Sequence, residues 1–274
     1  MGGNDDYRFL SLISYKSVKG RTEDMKSFEF PYGKGSQSLA LDERHIQYYL
    51  TGSPSDVISD EETAIRDSLR HPIGSRPLLD CVKPDGTIVI IVSDITRAVH
   101  TDRMLRAIAS ELEEAGISDD QITVLVALGT HRQQTEEETA AVCGKDMVRR
   151  LNVVQHDCHD DSQLVSVGTT SYGNDVRLNR LAVEADTVIL TGAISFHDMA
   201  GFGGGRKAVL PGIAGYDTIM TNHALALNDA CPYGMDPRCD AGKLADNPIH
   251  CDMMEGAAFL RPAFLVNLVL TADG

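Results

Sequence analysis

The chain has 274 residues, of which 42% are hydrophobic and none is tryptophan, and its formal net charge is −15 at pH 7. This length and aliphatic composition are typical of a globular α/β protein that buries one substantial core or two modest ones. The excess of carboxylates argues against nucleic acid or an anionic membrane as a partner, because phosphate-rich surfaces are bound through clustered Lys and Arg.

Targeting signals and cysteine spacing add little chemistry. The first residues lack a basic region followed by an apolar run, and no apolar stretch approaches the ~20 residues needed to span a bilayer, so we expect a cytoplasmic protein.

The six cysteines contain no C-x-x-C pair, which predicts free thiols. A zinc site is a less favoured alternative, since structural zinc ligands usually come in closely spaced pairs. Its ligands would be Cys231, Cys239, Cys251 and His250.

The predicted elements follow an amino-terminal extension of residues 1–27. Residues 35–50 predict the first strand and turn, and residues 60–69 predict a helix. Strand-then-helix units come next. Their strands are continuous apolar, β-branched runs at 87–92, 122–128, 152–155 and 187–190, and their helices include 102–115 and one opened by a capping box, Thr135 to Glu138. The predicted fold is therefore α/β, with an open, mainly parallel sheet covered by helices on both faces in a Rossmann-like three-layer arrangement.

Polar side chains follow these strands where each one ends. Asp94, Thr96 and Arg97 follow the first strand, His131 follows the second, and His197 comes after the run at 187–190. Taken singly, an Asp in this position is commonly a helix cap and a His is commonly structural. Because open α/β sheets bind ligands at the carboxyl ends of their strands, the joint placement predicts one shared crevice. His156 and His159 also follow a strand, in an acidic stretch that favours a structural or supporting role.

A basic, glycine-rich loop follows His197 directly. Glycines reach left-handed conformations, so successive N–H groups can converge on an anion. The P-loop and dinucleotide fingerprints both require glycine where Arg206 stands. The loop therefore suits a phosphate or other anion, with Lys207 as counter-ion or nucleophile, or else it is a flexible surface turn. Its glycines are Gly201, Gly203, Gly204 and Gly205.

The ordered motifs closely resemble the amino-terminal domain of the nickel-pincer lactate racemase family, from about residue 28 to the end. They are Asp94-Ile-Thr-Arg97, Gly129-Thr-His-Arg132, His156-Asp157, His197, Ala200-Gly-Phe-Gly-Gly-Gly-Arg-Lys207, Pro211-Gly212 and Asn222-His223, with Pro31-Tyr-Gly-Lys-Gly35 as a similar opening. The resemblance is specific because it rests on the order of the whole set.

The resemblance implies a cofactor, a nickel-pincer mononucleotide of the nickel pyridinium-3,5-bisthiocarboxylic acid type. It would be attached through a thioamide to Lys207, with His223 as the protein ligand to nickel. His131 and His197 would be the acid/base pair. Residues that would hold cofactor or substrate are Asp94, Thr96, Arg97 and the phosphate-binding glycines Gly203, Gly204 and Gly205. The implied partners are a 2-hydroxy acid such as lactate and the proteins that make the cofactor.

The chemistry of a 2-hydroxy acid agrees with this implication. Removing the Cα proton beside a carboxylate is very unfavourable, whereas removing hydride leaves a stable planar ketone. Hydride transfer is a task for a cofactor. Two histidines with pKa values near neutrality suit the accompanying proton transfers to and from the hydroxyl group. We therefore expect a racemase or epimerase, an isomerase that works by proton-coupled hydride transfer.

Two departures from the family pattern bear on these expectations. Ala98 and Gln133 stand where we expect proline, which would alter loop stiffness. The family also has a second domain that closes over the site, and the apolar run at 265–274 looks like a strand entering it. We therefore expect an amino-terminal domain at 28–262 and the start of a second at 263–274, with weak turnover unless that domain is supplied.

Other functions stay open on the sequence. The chain is alternatively a non-catalytic phosphate- or nucleotide-binding module, or an isolated cofactor-carrying domain without turnover. A further alternative is a zinc hydrolase that uses His156, His159 and His197.

Overall fold

The computed structural model describes residues 25–33, 35–49, 58–97, 99–231 and 234–270. The chain divides into two compact units, residues 1–54 and 55–274. In the first unit, β1 (Met25–Tyr32) and β2 (Gly35–Asp42) form an antiparallel hairpin. The predicted strand within 35–50 is therefore confirmed, and its partner strand begins inside the segment that the sequence assigned to an extension.

The second unit alternates strands with helices. In chain order its elements are α1 (Glu61–Arg70), α2 (Leu78–Cys81), β3 (Ile88–Ser93), α3 (Thr101–Glu114), β4 (Ile122–Ala127), α4 (Glu136–Cys143), α5 (Lys145–Arg150), β5 (Asn152–Gln155), β6 (Leu164–Thr169), β7 (Asp175–Asn179), α6 (Arg180–Glu184), β8 (Thr187–Ala193), β9 (Phe196–His197), β10 (Gly201–Phe202), α7 (Tyr216–Ala224), α8 (Pro248–Leu260) and β11 (Phe264–Leu268).

A five-stranded, wholly parallel sheet runs through this unit in the order β11-β8-β3-β4-β5. Two small antiparallel pairs, β6 with β7 and β9 with β10, lie outside it. The chain adds β4 and β5 on one side of β3, and then returns to add β8 and β11 on the other. The sheet therefore has a topological switch point between β3 and β8, where α/β sheets of this kind form a ligand crevice.

The apolar strands are buried on both faces. Along β3, Ile88, Ile90 and Val92 enter one core cluster, while Val89 and Ile91 enter the other. Burial of each such side chain stabilises the fold by about 1.5–3 kcal/mol. The first cluster includes residues of α1, α3, α4 and α5, and the second includes residues of α6, α7 and α8. The predicted three-layer α/β architecture is confirmed.

Most predicted elements lie within a residue or two of their observed bounds. The predicted capping box at the start of α4 is present, since the side chain of Thr135 accepts from the backbone N–H of Glu138 and the Glu138 carboxylate accepts from that of Thr135. None of the helices in the described ranges is long and apolar enough to cross a bilayer.

The carboxyl-terminal strand has a different place from the one that we expected. β11 pairs in parallel register with β8, from Phe264 beside Ile189 to Leu268 beside Ala193. The boundary predicted at residue 263 falls just before this edge strand, and the boundary between the two compact units lies at 54/55. An apolar run looks alike whether it completes one sheet or begins another, so the sequence pattern does not separate these cases. Residues 271–274 lie outside the described residues.

Candidate functional site

A cavity of about 510 Å³ opens at the carboxyl edge of the parallel sheet. Its walls come from the ends of β3, β4 and β8, from the glycine-rich loop and from α7. The predicted crevice therefore exists, at the switch point of the sheet. The predicted site residues that line it are Asp94, Arg97, His131, His197, Gly203, Gly204, Lys207 and His223.

Two predicted residues support the wall without lining it. The backbone N–H and the hydroxyl of Thr96 donate to Asp94 Oδ1, at 3.2 and 2.7 Å. The backbone N–H of Gly205 donates to Asn267 Oδ1 at 3.4 Å. Thr96 thus orients a carboxylate, and Gly205 ties the loop to β11. Ala98 lies outside the described residues, and the side chain of Gln133 donates to the backbone carbonyl of His156 at 3.1 Å.

His131 is held from behind by a carboxylate. The backbone N–H of His131 donates to the Leu128 carbonyl oxygen at 2.9 Å, which closes a turn directly after β4. Its Nδ1 lies 2.5 Å from Asp94 Oδ2. The Asp94 side chain is only 4% exposed, whereas that of His131 is 47% exposed. A carboxylate at Nδ1 favours the tautomer with hydrogen on that nitrogen, which leaves Nε2 available to accept a proton.

His197 lies on the opposite side of the switch point, in the short strand β9. Its Nδ1 is 2.9 Å from Asp198 Oδ1, and 3.3 and 3.2 Å from the backbone nitrogens of Met199 and Ala200. Burial, reinforced by the positive charge of Lys207, lowers the pKa of His197 to about 4. The ring is therefore neutral at pH 7, and its Nδ1 accepts hydrogen bonds from these two backbone N–H groups.

Lys207 has a buried side-chain amine with a lowered pKa. It lies in a 3₁₀ turn, Gly205–Ala208, that follows the glycine-rich loop. Burial is the main cause that lowers its pKa to about 8, and the nearby charges of Arg97 and Arg206 add to the effect. A larger fraction of the amine is thus unprotonated at neutral pH than in an exposed lysine, as a nucleophilic lysine requires.

The glycines of the loop permit a close approach to the end of β8. Gly204 has φ +71°, and a Cβ there would lie 2.9 Å from both the Ala193 carbonyl oxygen and Asn267 Oδ1. A Cβ on Gly203 would lie 3.1 Å from Ser195 Oγ. A side chain at Gly204 would push the loop off the strand. The tight packing therefore indicates a fixed cradle, and it argues against the alternative of a flexible surface turn.

His223 presents one free ring nitrogen to the cavity. It lies in the last turn of α7, where its Nδ1 donates to the Ile219 carbonyl oxygen at 2.9 Å. This bond fixes the tautomer and leaves the lone pair on Nε2. Burial lowers the pKa of His223, so the ring is neutral at pH 7, as a metal ligand must be.

A buried carboxylate anchors the helix that carries His223. Asn222, the preceding residue, donates to Asp252 Oδ2 at 2.8 Å. Asp252 lies on α8, is fully buried, and also accepts from Thr170 Oγ1 at 2.6 Å and Asn174 Nδ2 at 2.9 Å. α7 is therefore tied through Asp252 to α8 and to the turn between β6 and β7.

The side chains of the two zinc alternatives do not form a metal site in the described part of the chain. His156 is fully buried, and its ring nitrogens contact the Ala214 carbonyl oxygen at 2.9 Å and Asn179 Nδ2 at 3.1 Å, in agreement with a structural role. The His159 ring packs on Tyr216. Among the residues that the structure describes, no group of three or more His, Cys, Asp or Glu side chains is placed to hold a metal ion. All six cysteines are free thiols, as predicted.

The fold and cavity together define an α/β protein with a cavity at the switch point of a parallel sheet, against a basic glycine-rich loop, where α/β proteins of this class bind their ligands. Residues 32–232 match the lactate racemase N-terminal domain family, and the chain belongs to that family. The resemblance inferred from the ordered motifs is thereby confirmed.

Relatives match almost the whole chain. It is 36% identical to a lactate racemase from Lactiplantibacillus plantarum, over 91% of this chain and 58% of that protein. It is 35% identical to one from Thermoanaerobacterium thermosaccharolyticum, over 91% and 57%. The solved lactate racemase apoprotein from the latter organism superposes with a TM-score of 0.77 at 33% identity, covering 90% of this chain and 57% of that one. A structure from Thermotoga maritima shares the fold, with a TM-score of 0.59 at 22% identity. The match covers 82% of this chain and 53% of that one. The chain thus spans a little over half the length of these relatives.

Proposed function

We propose that this chain carries the cofactor and the acid/base residues of a racemase or epimerase that acts on a lactate-like 2-hydroxy acid. One observation carries the proposal. His131, His197, Lys207 and His223 come from four separate segments of the chain and line a single cavity. Membership in the lactate racemase family supports the same class of reaction.

The residues of the cavity fit a nickel-pincer mononucleotide. Lys207 offers an amine of lowered pKa for covalent attachment, and His223 offers a neutral Nε2, a ligand type that suits nickel. The backbone of Gly203 and Gly204 would hold the phosphate, with Arg97 as a nearby positive charge. When bound, this group supplies the hydride chemistry that amino-acid side chains lack.

Two histidine side chains, His131 and His197, would carry out the proton transfers. His131 would accept the proton of the substrate hydroxyl at Nε2, because its Nδ1 lies beside Asp94. His197 would return a proton from Nε2, because its Nδ1 accepts from the backbone N–H groups of Met199 and Ala200. A racemase treats two mirror-image substrates, so it needs an acid/base group for each. Arg97 would bind the substrate carboxylate, for which a guanidinium offers two parallel donors.

Mass and metal analysis test the proposal. We would produce the chain together with cofactor-biosynthesis proteins, its proposed partners, and measure intact mass, nickel content and interconversion of D- and L-lactate. We expect an adduct on Lys207 with about one nickel per chain. Lys207→Ala should abolish the adduct, His223→Ala should keep it but lose nickel, and Lys145→Ala, at an exposed site, should change neither. Absence of the adduct, in a host that loads the Thermoanaerobacterium thermosaccharolyticum lactate racemase, would contradict the proposal.

The glycine cradle alone supports a second candidate, a non-catalytic phosphate- or nucleotide-binding module. In that case His223→Ala would leave phosphate binding unchanged, and no adduct would form on Lys207. An adduct with nickel but without turnover would identify a cofactor-carrying domain.

A further inference from the structure

One peptide group joins His197 to the amino end of α8. Its N–H, on Ala200, donates to Nδ1 of His197 at 3.2 Å, and its carbonyl oxygen, on Met199, accepts from Asn247 Nδ2 at 2.9 Å. Asn247 is the N-cap residue of α8 and is fully buried. A peptide group whose carbonyl accepts a hydrogen bond is polarised, so its N–H becomes a stronger donor. Asn247 therefore both fixes and strengthens a hydrogen bond that His197 receives.

The side-chain amide of Asn247 has one orientation. Its Nδ2 donates a second hydrogen bond to the Lys243 carbonyl oxygen at 3.0 Å, and its Oδ1 accepts from the backbone N–H of His250 at 3.2 Å. Turning the amide over would place its NH₂ group against the N–H of His250 and its oxygen against two carbonyl oxygens. The donor that holds the Met199 carbonyl is therefore fixed by the start of α8.

These contacts decide which nitrogen of His197 carries the hydrogen. A ring nitrogen that accepts a hydrogen bond has no hydrogen of its own. The N–H of Met199 also points to Nδ1 from 3.3 Å, although it donates at the same time to Asp198 Oδ1 at 3.0 Å. That carboxylate lies 2.9 Å from Nδ1, but its side chain is 82% exposed, so water screens its charge. The hydrogen of the neutral ring is thus on Nε2, the nitrogen that remains for a substrate.

We propose that Asn247 is a positioning residue that acts through this peptide group to keep Nδ1 of His197 an acceptor and Nε2 a donor. His131 has the opposite arrangement, because its Nδ1 lies against the Asp94 carboxylate. The cavity then contains one ring that accepts a proton and one that donates it. The effect of Asn247 on turnover rests on the proposed function, but its effect on the tautomer does not.

Two variants separate this role from the capping of α8. Asn247→Ser keeps an oxygen that caps the helix, but its side chain is one bond too short to reach the Met199 carbonyl. Asn247→Asp also keeps the capping oxygen and places a second carboxylate oxygen against that carbonyl, where it repels. The matched control is Asp60→Ala, which removes the side-chain cap of α1, a 3.0 Å hydrogen bond from the backbone N–H of Thr63.

Nuclear magnetic resonance of ¹⁵N-labelled histidines in the cofactor-free protein measures the tautomer directly at neutral pH. His197→Gln assigns the signals. We expect hydrogen on Nε2 in the wild type and in Asp60→Ala, and a shift of the population toward hydrogen on Nδ1 in both Asn247 variants. Hydrogen on Nδ1 in the wild type would overturn the proposal, and so would wild-type signals in either folded Asn247 variant. If Asn247→Ser does not fold, Asn247→Asp and the wild type still decide the question.

Turnover of the cofactor-loaded enzyme gives the second readout. We expect Asn247→Ser to slow racemisation about ten-fold or more and Asp60→Ala to retain the wild-type rate. Equal rates in wild type and Asn247→Ser would overturn the positioning role. A tautomer change in Asn247→Ser, in a protein that never racemises lactate, would support the action of Asn247 on His197 and contradict the proposed function, so the two failures are distinguishable.

Discussion

The carboxylate of Asp94 joins two strand ends through its two oxygens. Oδ2 contacts Nδ1 of His131 at 2.5 Å, and Oδ1 accepts both the backbone and the hydroxyl hydrogen bonds of Thr96. Asp94 is almost fully buried, so its carboxylate depends on these partners for hydrogen bonds. The side chain is therefore committed to orienting the imidazole and the turn after β3.

Asp94→Asn keeps the shape of this side chain but replaces one carboxylate oxygen with an NH₂ group. In either orientation of the amide, this group faces a donor, either Thr96 or Nδ1 of His131. We expect racemisation by the loaded enzyme to fall at least ten-fold, because His131 loses its fixed tautomer. The free energy of unfolding should fall by about 1–3 kcal/mol. Initial rates and urea denaturation measure the two effects. Asp120→Asn, on the surface, serves as the control, and unchanged turnover in Asp94→Asn would contradict the role given to this residue.

The lowered pKa of Lys207 predicts that its amine reacts at a lower pH than the amine of an ordinary lysine. Labelling of this lysine by a small amine-reactive reagent should reach half its maximal rate near pH 8, since only the unprotonated amine reacts. Peptide mapping of the labelled, cofactor-free protein as a function of pH measures this midpoint. Half-maximal labelling above pH 10 would contradict the prediction.

Arg97→Gln should move the Lys207 midpoint to higher pH. Removal of a nearby positive charge makes the protonated amine less unfavourable, and Arg97 is the largest charge contribution to the lowered pKa. The same labelling experiment measures the shift. A substitution of the exposed Lys145 by Gln should leave the profile unchanged, and a downward shift in Arg97→Gln would contradict the electrostatic argument.

Gly204→Ala tests whether the loop is a tightly packed cradle. The new Cβ would lie 2.9 Å from two oxygens at φ +71°, so the loop must move away from β8. We expect weaker binding of inorganic phosphate and a loss of about 1–3 kcal/mol in the free energy of unfolding. Gly173→Ala is a matched control, because it has φ +79° and no neighbour within 4 Å of the added Cβ. Equal losses in both variants would show that crowding contributes nothing.

Asp252→Asn tests the anchoring of α7. Asp252 accepts hydrogen bonds from Asn174 and Asn222 at one oxygen and from Thr170 at the other, and an amide would face at least one of these donors with its own N–H groups. We expect a loss of about 2–4 kcal/mol in urea denaturation. Nickel retention by His223 should fall as well, since Asn222 no longer holds the helix firmly. Asp217→Asn, on the exposed face of α7, is the control. Wild-type stability in Asp252→Asn would contradict the anchoring role.

Local patterns were sufficient to predict the sheet and the position of the site. The apolar runs mark strands buried on both faces, and the polar residues directly after them had to gather at one edge once the strands were parallel. The placement of His131 and His197 in one cavity follows from this geometry.

Such local patterns could not predict contacts between distant segments of the chain. Asp252 contacts Thr170 from 82 residues away, and Asn267 contacts Gly205 from 62 residues away. An isolated Asp or Asn gives no periodic signal, and its partner is set by the packing of whole helices and strands. The sequence analysis named His197, but only the folded structure shows that the backbone N–H groups of Met199 and Ala200 donate to its Nδ1.

The contact between Asn267 and the glycine-rich loop has a consequence for the order of events during biosynthesis. The loop is translated before β11, yet Asn267 is the side chain that accepts from Gly205 and packs beside Gly204. On the ribosome, the loop therefore emerges without one of the groups that shape it. A nascent chain that has not yet reached residue 267 therefore lacks the hydrogen bond that ties this loop to β11.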